Sequence, residues 1–104
     1  MIISTTAEIG GKRVVKTLGL VAGNTVRSRN IGRDILAGLK NIVGGEIKEY
    51  TQLMASSRRD AIQRMILEAE NMGANAVVEV RFVTAAVAST AAEIVAYGTA
   101  VVVE

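Results

Sequence analysis

Hydrophobic and polar positions divide the chain into stretches of two different periods. From Ile94 onward, apolar side chains occupy both parities: Ile94, Ala96, Gly98, Ala100 and Val102 on one face of an extended chain, and Val95, Tyr97, Thr99, Val101 and Val103 on the other. A strand with one wet face alternates apolar with polar residues, so this pattern predicts cover on both sides. A chain of 104 residues has little cover to spare, and a neighbouring subunit is expected to supply part of it.

Upstream, residues 2–5 read as a short edge strand, and Gly10-Gly11 as a turn. Residues 13–22 read as a second strand, with Val14, Leu18 and Leu20 facing one way and Val15 and Val21 the other. Asn30 suits the N-cap of a helix over residues 31–43, whose apolar stripe is Ile31, Ile35, Leu39 and Ile42. Gly44-Gly45 stops it. A longer helix is expected over residues 46–72, burying Ile47, Tyr50, Met54, Ala61, Met65, Ala69 and Met72, with Asp60, Arg64 and Glu68 outside and Gly73 closing it. Two further strands follow, from Ala76 and from Glu93. The order ββααββ predicts an α+β subunit, two helices on one antiparallel sheet, in a single domain.

Composition narrows the chemistry. With no cysteine and no histidine, the chain has no disulfide, no thiolate and no imidazole base or ligand. Aromatic residues make up 3% and proline is absent, so the core is built from aliphatic side chains and glycine marks the turns. A net charge of +2, with neither a dense basic stripe nor interleaved aromatics, argues against a nucleic-acid partner. The N-terminus does not read as a signal peptide, which makes a cytoplasmic location the expectation. Residues 82–103 are long enough to cross a bilayer and carry one charge, Glu93. Their small polar centre, Ala88-Ser89-Thr90-Ala91, reads instead as a hairpin connection, so no membrane partner is expected.

Few constellations suggest chemistry. Arg27, Arg29 and Arg33 surround Asn30 at the mouth of the expected first helix, where guanidinium groups and free backbone N–H groups could hold a small anion. A solvated basic loop, or salt bridges to a neighbour's carboxylates, is the plainer explanation of them. Asp34 could serve as a general base or a hard-cation ligand, or merely complement the helix dipole. Ser4, Thr5 and Thr6 offer hydroxyls without a histidine to activate them, which excludes a serine-hydrolase triad. Glu79 and Arg81 lie two apart on one face, and Glu93 could face them from the returning strand as a cross-strand ion pair.

Several segments together resemble the YbjQ-like family. They are Ser4-Thr5-Thr6, Gly19-Leu20-Val21-Ala22-Gly23, the block from Asn30 to Gly38 (NIGRDILAG), Ile42-Val43-Gly44-Gly45 with Tyr50, Gly73-Ala74-Asn75-Ala76-Val77, and Gly98-Thr99-Ala100-Val101. The resemblance implies a subunit of a ring-shaped homo-oligomer, typically a pentamer, and carries a heavy-metal-binding description. Soft metals want thiolate, thioether or imidazole. Here only thioethers are available, Met1 and three methionines on the long helix, so such a site would need a cluster formed between subunits.

The expected function is accordingly an assembly or binding module holding a small ligand or ion at subunit interfaces, with Arg27, Arg29, Asn30, Arg33 and Asp34 as the candidate binding residues. One alternative is a metal-binding protein. Another is an enzyme sited at an interface, with Asp34 as base and Arg33 stabilising charge.

Overall fold

A computed structural model describes the backbone of residues 1–28, 48–88 and 91–104. Four strands and one helix are described: β1 (Ile2–Ile3), β2 (Val14–Ser28), α1 (Lys48–Asn71), β3 (Ala76–Ala88) and β4 (Ala91–Val103). The strands form one sheet in the order β1-β3-β4-β2.

The expected fold class needs correction. The sheet is mixed, because β1 pairs with β3 in parallel while β2 and β3 each run antiparallel to β4. One helix is present among the described residues, and the expected first helix, residues 31–43, lies outside them. The sheet is mixed because β1 and β2 both run in the direction of β3 and occupy opposite edges, so they are not a hairpin. The segment between them, including Gly10-Gly11, must cross the sheet.

That crossing also supplies part of the cover from within the chain. It brings Ile9 onto Ala76, Val78, Val101 and Val103, which form a small core on the face away from α1. Arg13 and Glu104 exchange backbone hydrogen bonds at 2.9 Å in both directions. The Val101 and Val103 end of the doubly apolar strand is therefore sheltered by the chain's own N-terminal segment.

The other core lies between α1 and the sheet. Ala61, Met65 and Ala69 recur at four-residue steps and are fully buried with Ser57, against Val21, Val77, Val80, Ile94, Ala96 and Ala100. Small side chains at Ser57, Ala61 and Ala69 let the helix sit low on β2. A Cβ placed on Gly23 would collide with the Ala61 carbonyl oxygen and the Met65 backbone nitrogen. Gly73, at φ 88°, ends the helix as expected. Its N–H donates to the Glu70 carbonyl (2.9 Å) and that of Ala74 to the Ala69 carbonyl (3.0 Å), the two bonds of a Schellman cap.

Bulges reset the faces of two strands. In β2 the register slips between Thr17 and Gly19, so Leu18 packs with the helix-side core while Leu20 faces the other way. The expectation that Leu18 and Leu20 share a face does not hold. In β3 the register moves from Val78↔Thr99 to Arg81↔Tyr97, leaving Glu79 and Val80 opposite Gly98 alone. Glu79 takes φ 53°, a left-handed conformation that favours glycine. Gly98 is needed beneath it, since a Cβ there would approach Val77 Cγ1 at 2.8 Å and the Val78 carbonyl at 2.9 Å. The hairpin reading of residues 82–103 holds: β3 and β4 pair antiparallel, and no described helix is long and apolar enough to cross a membrane.

Candidate interaction face on the sheet arm

Beyond the Glu79 bulge, β3, β4 and the second half of β2 continue as a three-stranded arm. The registers place Leu20, Ala22, Asn24 and Val26 of β2, Glu93, Val95, Tyr97 and Thr99 of β4, and Arg81, Val83 and Ala85 of β3 on the face away from α1. The crossing segment covers only the near end of that face. Leu20 is 72% exposed, Val83 49% and Tyr97 37%, and Val26 is also exposed. This is a contiguous apolar floor with a few polar groups on it, the form of an interaction surface.

Those polar groups are fixed by the strands around them. Arg81 Nη1 donates to the Thr5 carbonyl at 2.8 Å and to the Val80 carbonyl at 2.9 Å. The Thr5 segment is itself strapped to the bulge: the Val80 N–H donates to Ser4 O (2.9 Å), that of Glu79 to Thr6 O (3.0 Å) and that of Ser4 to Val77 O (3.0 Å). Ser4 Oγ and Thr6 Oγ1 lie 2.5 Å apart, and the Thr6 hydroxyl also donates to the Glu8 carbonyl. The Ser4 and Thr6 hydroxyls thus close the strap on itself.

Glu93 departs from expectation. It sits opposite Ala85 and accepts a hydrogen bond from Asn24 Nδ2 at 3.1 Å, while Arg81 sits opposite Tyr97. The hairpin register sets Arg81 four residues along β3 from Ala85, the partner of Glu93, and the inserted residue at Glu79 breaks the alternation that would put Glu79 and Arg81 on one face, so no three-residue charge cluster forms. Arg64 and Glu68 were expected on the outer side of the helix. They turn instead onto the edge of β2, where Arg64 Nη1 donates to the Asn24 carbonyl (2.5 Å) and the Ala22 N–H donates to Glu68 Oε2 (3.3 Å). Nothing in the local sequence signals this, because the contacts span more than forty residues. Beneath them, the Thr25 hydroxyl is fully buried with no hydrogen-bond partner among the described residues.

Of the candidate binding residues, Arg27 falls within β2, paired with Ala92 close to the arm's tip. Arg29, Asn30, Arg33 and Asp34 lie outside the described residues. Tyr50 belongs to the first turn of α1.

Among the described residues, one helix on a four-stranded mixed sheet with a projecting arm defines a small α+β fold. The fold is similar to that of a crystal structure of a protein of unknown function of the DUF74 family from Pediococcus pentosaceus, with a TM-score of 0.67 at 14% identity, covering 100% of this chain and 98% of the other. The model of the YbjQ-like family, described as putative heavy-metal-binding, matches residues 1–104, and the chain belongs to that family. Similar relatives are UPF0145 proteins. The one from Dehalococcoides mccartyi is 56% identical over 104 residues, covering 100% of both chains. Those from Halorubrum lacusprofundi and Archaeoglobus fulgidus are 59% and 55% identical over 101 residues, covering 97% of this chain and 97% and 94% of theirs.

The donor set here does not fit a heavy metal. The chain has no cysteine or histidine, Met65 is sealed in the core, and no three carboxylates converge among the described residues. Without thiolate or imidazole, the chain offers a soft cation thioether sulfur alone.

Proposed function

We infer that this chain is a self-assembling subunit, a homo-oligomeric binding module rather than a free-standing catalyst. The observation that carries the reading is the apolar floor of the arm, Leu20, Val26, Val83 and Tyr97, which nothing among the described residues covers. The shape supports it. The Cα radius of gyration is 16.9 Å, against about 13 Å for a compact chain of this length.

The closed form proposed is the ring of five that the sequence resemblance implies, working in the cytoplasm. A small anion is its proposed ligand, held at the interfaces by Arg27, Arg29, Asn30, Arg33 and Asp34. Arg27 sits near the arm's tip, at the end of β2 that leads into the other four. Sedimentation velocity at micromolar concentration tests the assembly. A species of about five times 10.9 kDa is the expected result, and a single 10.9 kDa species ends the proposal. Equilibrium dialysis with inorganic phosphate, comparing wild type with Arg33→Met, tests the anion site. Equal binding by the two proteins, or none by either, removes it.

A further inference from the structure

The sheet has two outer edges, and they are treated very differently. The edge of β2 is guarded. Register slips at Val15 and Leu18 break its ladder, and Glu68 and Arg64 occupy the Ala22 N–H and the Asn24 carbonyl. Such bulges and charged side chains are how natural sheets refuse a further strand.

The edge of β3 is guarded only as far as Arg81. There β1 and the strap from Ser4 to Thr6 take the backbone groups of Ala76 to Val80, and the Arg81 guanidinium closes the end on the Thr5 carbonyl. Beyond it, residues 82–88 read FVTAAVA, with no charge, proline or glycine. They pair with β4 on one side and with no described strand on the other. Residues 82–86 are all exposed, Phe82 by 44%. The ladder to β4 is regular over residues 82–86 and irregular only between Ala86 and Ala88, and an uncharged, β-prone edge of this kind is a template for strand addition.

We propose that residues 82–88 form a strand-pairing edge that accepts an extended strand from a second copy of this chain. The proposal rests on the assembly reading and gives it a specific joint. A second copy is the fitting occupant for two reasons. The edge offers no charge to select a charged peptide, and Val83 shares its face with Val95 and Tyr97, so a sister strand added at the edge carries the same apolar floor on across the joint. Backbone hydrogen bonds then supply the joint, and the alternating side chains supply its specificity.

The test is Ala85→Lys, a change at an exposed small residue that removes nothing from either core. The control is Leu67→Lys on the exposed face of α1, where the leucine is 59% exposed. Amide exchange and native mass are read on both variants and on wild type. The expected result is an oligomeric wild type in which the outward amides of residues 82–86 exchange at least tenfold more slowly than in Ala85→Lys. That variant falls to 10.9 kDa with its helical circular dichroism intact, while Leu67→Lys behaves as wild type. An oligomer whose 82–86 amides exchange freely and whose mass ignores Ala85→Lys overturns the edge and leaves the assembly reading standing. A monomeric wild type overturns both.

Discussion

Gly23 and Glu79 are the two residues whose backbone surroundings decide most. At Gly23 the helix backbone occupies the space a side chain would need. Gly23→Ala must lift α1 off β2, and the expected cost is about 3 kcal/mol, the upper part of the overpacking range. Urea denaturation at fixed protein concentration measures it. At Glu79 the strain runs the other way, because a side chain sits where φ is positive. Glu79→Gly relieves about 1–2 kcal/mol of left-handed strain, and the added freedom of the unfolded glycine takes back about 0.5–1 kcal/mol. A net gain of up to about 1.5 kcal/mol is expected, with Glu79→Val less stable than wild type. A loss of stability in Glu79→Gly contradicts this account of the bulge.

The helix was legible in sequence because its period is local: Ala61, Met65 and Ala69 fall at four-residue steps, and Gly73 marks its end. The hairpin of β3 and β4 was legible for the same reason. What escaped was set by distant contacts. Glutamate carries no signal for a left-handed residue, so the bulge that breaks the alternation between Glu79 and Arg81 could not be read from the pattern of β3. The crossing of the segment after β1 depends on which edge β1 chooses, and two residues cannot encode that. Of the candidate site, Arg27 alone falls in a described element, while the apolar floor was visible in sequence as doubled hydrophobicity. The strap across the bulge invites a direct test. Arg81→Met removes the bonds to the Thr5 and Val80 carbonyls, worth about 1 kcal/mol. The amides of Glu79 and Val80 should then exchange about fivefold faster, with α1 unaffected.

For the whole molecule, the contrast between a well-packed base and a bare arm predicts how the assembly responds to solution conditions. The floor's contacts are Leu20, Val26, Val83 and Tyr97, with Arg81 and Glu93 already engaged inside the subunit. Association driven by apolar burial is not screened by ions. The oligomer mass should be unchanged between about 0.1 M and 1 M sodium chloride. Dissociation at the higher salt would mean that charges hold the copies together.

The order of the strands also governs how the chain is born. Among the described strands β2 pairs only with β4, the one farthest from it in sequence, and β1 pairs only with β3. As the polypeptide leaves the ribosome, its first two strands have no mates until the helix and the hairpin have followed. The nascent protein therefore folds late and slowly for its size, and its earliest apolar segments need shielding by chaperones or by the speed of translation itself.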